Sequence, residues 1–317
     1  RLAESLAERQ SVQAFVLSRS DLAEIDLSHR DMSGLTLIGA RLAGARLSNA
    51  DLRRATLADA DLRAADLEGA RLAGASLRGA DLSGAQLAGA DLTGADLSGA
   101  RLADADLSGA ALPGADLQGA VLVGADLHRV DLRAASLCRA ELDGVRLADA
   151  DLGGADATSA SLAGADLRGA SARSCELCGV DLRGADLKGA AVPGAVLRGA
   201  RLAGAVLSRA DLSGVDAQGA DLRGAIMVSA DLREARFHDA DLAQAQLAGA
   251  DLRDSDLGGV RLVGADLTRA SFQGARLGGA DLRRATLDRA THDGRTGWPA
   301  GFRPAAAGLV RAGIADG

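Results

Sequence analysis

Leucine recurs at every fifth position through most of this 317-residue chain. Between Leu22 and Leu287 a step of five residues passes through 54 positions, and 46 of them are leucine. A five-residue step moves a side chain roughly 140° around a straight α-helix, so no apolar stripe would form. In a straight β-strand the same odd step would place successive leucines on opposite faces. The pattern therefore predicts a chain that bends once per repeat and keeps every leucine inside.

A second inward column lies two residues before the leucines, where alanine holds 43 of the 54 positions from Ser20 to Ala285. Residues two apart share a face of an extended segment, so the residue between them, commonly Asp, points outward. The two residues after each leucine fall at a corner, where glycine tolerates a positive φ. Ala217 and Phe237 are 20 residues apart, the length of four five-residue sides. They should therefore lie in adjacent turns of the chain, and we expect the phenylalanine ring to fill the space that the alanine leaves.

Four five-residue sides would close one 20-residue coil, and coils would stack at the strand spacing of about 4.8 Å. The sequence thus predicts an all-β solenoid, a four-sided β-helix of about 13 to 14 coils and roughly 65 Å in length. Its ends are short helical or irregular caps. We predict an N-terminal cap at 1–20, the repeat β-helix at 21–290, and a C-terminal cap with a short tail helix at 291–317.

Both ends of a solenoid need covers, because an open coil exposes apolar side chains and unpaired strand edges. At the N-terminal end, residues 1–10 predict a short helix, and Phe15, Ile25 and Leu35 enlarge the small inward column as an end plug.

The C-terminal end carries the chain's one tryptophan, in a segment that breaks the five-residue step. We expect Trp298 and Phe302 to cover the last coil. The tail, 305–317, predicts a short helix that leaves three apolar residues available for packing: Leu309, Val310 and Ile314.

The segments 90–94 and 95–99 read ADLTG and ADLSG. This A(D/N)LXX pattern resembles the signature of the pentapeptide-repeat family and extends over about 270 of the 317 residues. The resemblance implies that the β-helix is right-handed and that the protein has no catalytic activity. It also implies a class of partner, since some bacterial members shield DNA gyrase by imitating duplex DNA. In those members a C-terminal segment pairs two rods end to end, which leaves open a homodimer through the C-terminal end of this chain.

Charge and cysteine content restrict the function further. The net charge of −7 and the pI near 5.2 disfavour nucleic acid and an anionic membrane as partners and favour a basic protein surface. Three cysteines, an odd number, favour a reducing compartment over a disulfide framework, so we expect a cytoplasmic protein.

No candidate catalytic, metal or cofactor site emerges from the reactive residues. The four histidines lie far apart in the sequence, and Cys175 points inward while Cys178 points outward, so this CxxC pair diverges. Glycines recur for corner geometry, which explains their spacing without a phosphate loop. We therefore predict a protein that is not an enzyme and holds no cofactor.

One segment departs from the mean charge. From Ala80 to His128 there is a single basic residue, Arg101, against seven aspartates, a net charge of −6. We call the seven the acidic band: Asp81, Asp91, Asp96, Asp104, Asp106, Asp116 and Asp126.

The acidic band has two interpretations, and the sequence leaves both open. It carries one net charge per about 2 Å of predicted axis, comparable with duplex DNA at one per about 1.7 Å. Yet outward residues are acidic at 29 of 54 positions, so each Asp also fits the repeat, where its carboxylate is expected to bond a backbone group at the corner. The band is either a partner-binding surface or chance variation along a repetitive chain.

Two functional hypotheses follow. In the first, the solenoid occupies the basic DNA saddle of DNA gyrase or another type II topoisomerase and inhibits the enzyme or protects it from poisons. In the second, it is a rigid scaffold or spacer whose partner recognises shape or the end caps. Charge mimicry predicts binding that weakens steeply as ionic strength rises, and the scaffold predicts binding insensitive to salt.

Overall fold

The structure is a computed structural model that describes residues 17–312, so the predictions for 1–10, Phe15 and Ile314 lie outside the described residues. It consists of two compact units, Arg1–Asp156 and Ala157–Gly317, and we describe each by itself.

The first unit is a stack of coils joined by parallel bridges. Each outward residue pairs with the residue 20 positions later, from Asp21 with Arg41 to Ser136 with Asp156. The amide of Leu82 donates to the carbonyl oxygen of Arg101 at 2.7 Å, and the amide of Arg101 donates to Ala80 at 2.9 Å. The predicted 20-residue coil is therefore confirmed, while the count of 13 to 14 coils stays a prediction.

Each corner is a hydrogen-bonded turn that follows an inward leucine. The amide of Ala85 donates to the carbonyl oxygen of Leu82 at 2.9 Å, and Gly84 between them has a φ of 67°. This confirms the predicted role of glycine at the corner. Ala64 holds the same position with a φ of 53°, a left-handed conformation that costs an L-residue about 1–2 kcal/mol. The corner thus keeps the same turn with a positive φ even where a residue other than glycine makes that conformation strained.

The core of each unit consists of the two inward columns. Leu92 and Ala90 have no exposed surface, and most of their counterparts along the chain are buried in the same way, whereas Leu282 and Ala285 near the C-terminal end are half-buried. Ser255 replaces an inward alanine and is also fully buried, because its hydroxyl donates to the carbonyl oxygen of Leu252 at 2.7 Å. Leu35 is buried as the predicted plug requires, whereas Ile25, in the first described coil, is only half-buried.

The second unit repeats this construction, with bridges from Ser161 and Asp181 to Ser271 and Thr291; the next bridge, Arg276 with Gly297, spans 21 residues. Phe237 has no exposed surface, and the coil of Ala217 lies directly against it: the amide of Ala217 donates to the carbonyl oxygen of Arg236 at 2.8 Å. The predicted pairing of the large ring with the small residue is confirmed.

The second unit ends in a short cap. A β-strand, β1 (Thr291–His292), is followed by a 3₁₀ helix (Pro304–Ala307) and by β2 (Val310–Arg311), which pairs parallel to β1. Of the short helix predicted over 305–317, residues 305–307 lie in the 3₁₀ helix, whereas Val310–Arg311 form β2, which returns to the open edge of the last coil. There the amide of Val310 donates to the carbonyl oxygen of Ala290 at 2.8 Å.

Candidate protein-binding site

The outward aspartates hold the corners of the coils. Oδ1 of Asp96 accepts the amide of Ser98 at 3.0 Å and its hydroxyl at 2.6 Å. Oδ1 of Asp116 accepts the amide of Gln118 at 2.9 Å. The expected bond between carboxylate and corner backbone is therefore confirmed, and it leaves the second oxygen, Oδ2, free to meet a cation.

Where arginine stands two residues after the aspartate, that second oxygen is occupied. In the Asp-Leu-Arg segments the guanidinium donates hydrogen bonds to both carboxylate oxygens, an arrangement we call a fork. Nε of Arg233 donates to Oδ1 of Asp231 at 2.8 Å, and Nη2 donates to Oδ2 at 2.6 Å. The Arg233 bond keeps the pKa of Asp231 below its usual range. The same fork forms at Asp51, Asp61, Asp131, Asp166, Asp181, Asp221, Asp251 and Asp281.

These forks predict an acid-sensitive stability. Hydrogen bonding from Arg283 lowers the pKa of Asp281 to about 2, whereas an unfolded Asp titrates near about 3.9. Because folding lowers the pKa of Asp281, its ionised carboxylate stabilises the folded state above about pH 4. This stabilisation is lost as the pH falls toward 2. We expect the melting temperature to be level above about pH 5 and to fall steadily below pH 4.

The control for the acid series is Arg283→Gln, which removes one fork. It should narrow the difference between the melting temperatures at pH 5 and pH 2.5, measured by circular dichroism. A melting temperature that stays constant down to pH 2 would contradict the role of the forks.

The acidic band lacks these forks, because serine, threonine, glutamine or histidine follows its outward aspartates at that position. Two members still meet a cation: Asp81 lies 3.7 Å from Nε of Arg101, and Oδ2 of Asp126 lies 2.7 Å from Nη2 of Arg146. Burial raises the pKa of Asp126, but hydrogen bonds from His128 and the charge of Arg146 hold it below its usual range. Within residues 17–312, no ion pair forms at the other five members: Asp91, Asp96, Asp104, Asp106 and Asp116.

The structure does not bring the whole band onto one surface. Asp96 and Asp116 are bridge partners on one side of the first unit, whereas Asp106 and Asp126 are partners on the opposite side, two sides further along the coil. Asp81 and Asp91 lie on the remaining two sides, and Asp104 lies at a corner with a φ of 57°. The stacked pair Asp96 and Asp116 is the part of the band that presents adjacent, uncompensated carboxylates.

A shallow groove runs along the corner beside this pair. Its lining includes Asp59, Arg78, Gly79, Ser98, Gly99 and Asp116, and we call it the Asp116 groove. A Cβ added at Gly99 would meet no atom within 4 Å, so the glycine leaves open space between the flanking side chains. Asp59 at one end has no ion pair among the described residues, and Asp116 supplies the second carboxylate. The groove is therefore lined by two carboxylates and one guanidinium, that of Arg78, and keeps a net negative charge.

The predicted end cover consists of stacked aromatic rings. The Trp298 ring stacks on Phe302, with centroids 4.8 Å apart, and its centroid lies 5.4 Å from that of Phe272. His292 takes the inward position one coil after Phe272, and its ring meets Trp298 edge-on at 5.9 Å. Leu309 is half-buried and Val310 is 51% exposed, so the end is covered mainly by the rings.

Asp293 anchors this aromatic end to the coil above. Its Oδ1 accepts the amides of Gly274 at 3.0 Å, Arg295 at 2.9 Å and Thr296 at 3.1 Å. Burial raises the pKa of Asp293, but these bonds outweigh it and hold the pKa well below its usual range.

Other reactive residues do not gather into a site. Cys175 is buried in the inward column while Cys138 and Cys178 are half-buried on the outside, and none of these three described residues forms a disulfide bond. Among residues 17–312, no group of three or more His, Cys, Asp or Glu side chains has the geometry to hold a metal ion. In the same part of the chain, no helix is long and apolar enough to cross a membrane.

Comparisons with known proteins place these features in context. The family model for pentapeptide repeats matches eight copies, which cover residues 20–227 and 230–291. Among curated protein sequences, none matches the chain closely enough to count as a relative.

Several solved structures are similar. HetL from the cyanobacterium Nostoc, a pentapeptide-repeat protein involved in regulating heterocyst differentiation, is 35% identical over 68% of this chain and 88% of its own, with a TM-score of 0.43. A pentapeptide-repeat protein of the Arabidopsis thaliana thylakoid lumen is 34% identical over 35% of this chain and 67% of its own, with a TM-score of 0.21. QnrB1, a plasmid-mediated fluoroquinolone resistance protein, is 24% identical over 60% of this chain and 88% of its own, with a TM-score of 0.31.

The family model covers the repeat region except residues 228–229, and its unit is the five-residue side seen in both units. Membership implies a right-handed β-helix, the handedness that the family resemblance led us to expect. The 20-residue ladder, the inward leucines and the eight matched copies together show that this chain belongs to the pentapeptide-repeat family.

Proposed function

We propose that this protein is a non-enzymatic, cytoplasmic interaction protein that binds a basic protein surface through Asp96, Asp116 and the Asp116 groove. The partner class is the DNA-binding saddle of DNA gyrase or another type II topoisomerase. Binding there would inhibit the enzyme or protect it from poisons.

The stacking of Asp96 on Asp116 carries this proposal. The two are bridge partners, so their carboxylates repeat about every 4.8 Å along the stack, whereas one DNA strand carries one phosphate charge per about 3.4 Å of helix axis. Each holds its own corner through Oδ1 and keeps Oδ2 free of any arginine. Aspartates in the forks have no such oxygen to offer, because the neighbouring guanidinium has taken it.

A supercoiling assay tests the proposal. The protein is titrated into DNA gyrase with and without a fluoroquinolone, at two salt concentrations. We expect inhibition or relief of the drug, with a weaker effect at higher salt, because exposed charges are screened within about 8–10 Å. Asp96→Asn/Asp116→Asn should reduce potency about tenfold or more, equivalent to about 1.4 kcal/mol per factor of ten.

The variants are chosen to keep the coil folded. Asparagine can still accept the corner amide through its side-chain oxygen, so each turn retains its bond. Asp66→Asn/Asp211→Asn removes the same charge from two corner-holding aspartates outside the band and should leave potency unchanged. Asp106→Asn, on the opposite side of the first unit, should also have little effect.

The scaffold hypothesis predicts that neither salt nor the loss of these carboxylates changes potency. If potency or binding is equal at both salt concentrations and in both double variants, the carboxylates are not the contact. A partner would then recognise shape or the C-terminal end. No effect on the enzyme at tens of micromolar would refute the topoisomerase assignment.

A further inference from the structure

One side of the second unit replaces outward charges with branched apolar residues. Six consecutive rows of this side are joined by parallel bridges from Asp166 to Asp266. In the middle rows the outward position holds Val206 and Ile226, which are bridge partners, and Val228 stands two residues after Ile226. All three are half-buried. Because 29 of 54 outward positions in the chain are acidic, two stacked branched residues are a departure from the repeat.

The same side carries a regular arrangement of charge above the apolar rows. We call this side of the second unit the Ile226 face, and its outward residues form two columns. The first column holds Asp166, Asp186, Val206, Ile226, Gln246 and Asp266. The second, two residues later in each row, holds Arg168, Lys188, Ser208, Val228, Ala248 and Thr268. The first two rows therefore place an acid in one column and a base in the other.

A two-fold axis parallel to the stacking direction makes this face self-complementary. Such an axis exchanges the two columns at equal height. Asp186 would then face the Lys188 position of a second copy, and the fork of Asp166 with Arg168 would face the same fork of that copy. Ile226 would meet Val228, and no charge would stand opposite the apolar rows. We propose that the Ile226 face binds the Ile226 face of a second copy of this chain about such an axis.

The alternative two-fold axis, perpendicular to the stacking direction, fits less well. It keeps each column and inverts the order of the rows, so Asp166 would face Asp266 and Lys188 would face Ala248. Like charges opposite one another disfavour an interface, whereas opposite charges set its orientation. The parallel arrangement also gives Lys188 a partner, since no ion pair of this lysine forms within residues 17–312.

The size of the face sets the expected affinity. Five row spacings give a height of about 24 Å, and one five-residue side gives a width of about 16 Å. About 400 Å² per partner is half of what a standard stable interface buries. We therefore expect a weak dimer that forms at micromolar or higher protein concentration and weakens with salt.

Sedimentation equilibrium on the full chain measures this association. Ile226→Asp should raise the dimer dissociation constant at least about tenfold, because it places a carboxylate among the apolar contacts. The substitution suits the fold, since Asp is the commonest residue at outward positions and would accept the amide of residue 228. Val121→Asp, the same kind of change at a half-buried outward position of the first unit, should leave the dissociation constant unchanged.

Charge reversal provides a second readout. Lys188→Glu should weaken the dimer, and the exchanged pair Asp186→Lys/Lys188→Glu should restore it, because the two-fold axis brings the exchanged charges together again. Failure of the exchanged pair to recover affinity would overturn the assigned axis. The proposal would also be overturned if Val310→Asp removed the association and Ile226→Asp did not. That result would locate the contact at the C-terminal end.

Lys188 is the chain's only lysine, which makes cross-linking specific. Carbodiimide coupling of a mixed ¹⁴N and ¹⁵N sample should join Lys188 of one copy to Asp186 of the other, identified as a mixed-isotope peptide pair. A mixed-isotope link from Lys188 to Asp266 would show the inverted arrangement instead. Wild-type protein that stays monomeric up to about 1 mM, a concentration at which even a millimolar dimer would be partly formed, would refute the proposal.

Discussion

Replacing Phe237 with alanine should lower the free energy of unfolding by about 3–5 kcal/mol. The ring is fully buried, and the coil that packs against it contributes only the methyl group of Ala217 at the matching position. The interior of a β-helix is closed on four sides by bonded backbone, so the coils cannot collapse onto the space that the ring leaves. Urea denaturation followed by far-UV circular dichroism measures the change.

The partner residue supplies the control for this prediction. Ala217→Leu alone should cost about 1–3 kcal/mol, because a leucine side chain meets the ring. The double variant Ala217→Leu/Phe237→Leu restores the residue found at 46 of the 54 positions and should lie within about 1.5 kcal/mol of wild type. If the double variant lost the sum of both single effects, the two residues would not share one packing site.

The fold could be predicted from the sequence because every repeat contributes the same constraint. A leucine column that never changes its five-residue step excludes straight helices and strands, and four such steps give a 20-residue coil, which pairs Ala217 with Phe237. The bridges of both units have this spacing up to Ser271 and Thr291. Local and long-range requirements agree at each position, which is the condition for a reliable inference.

The C-terminal tail could be predicted only in part, because its local preference and its surroundings disagree after the 3₁₀ helix. An alanine-rich segment such as 305–317 favours a helix by propensity. The last coil, however, leaves unpaired carbonyl groups at its edge, and Val310 and Ala312 donate their amides to Ala290 and His292. Gly308, with a φ of 77°, ends the 3₁₀ helix and allows the chain to return.

The candidate site was only partly visible in the sequence. The acidic window follows from a count of charges, but a count does not assign residues to sides, and Asp106 lies opposite Asp96. A further signal was present in the sequence. Arginine two residues after an aspartate neutralises it, as at Asp231, whereas serine at that position, as after Asp96, leaves one oxygen free.

Replacing Trp298 with alanine should lower the free energy of unfolding by about 3 kcal/mol, the low end for a buried tryptophan because this one is half-buried. The ring lies between Phe272 and Phe302, so its loss removes two aromatic contacts at once. Phe272, otherwise fully buried, would become accessible to water. Trp298→Phe retains a ring at this position and should cost less than about 1.5 kcal/mol.

Hydrogen exchange separates a capping role from a general loss of stability. The amides of Val310 and Ala312, which donate to Ala290 and His292, should exchange faster in Trp298→Ala, since they join the tail to the last coil that the ring covers. Solenoid repeats contact only their neighbours, so opening at one end need not spread along the stack. The amide of Leu92 in the first unit should therefore keep its wild-type protection. Equal acceleration at Leu92 and Val310 would show that Trp298 supports the whole chain rather than its end.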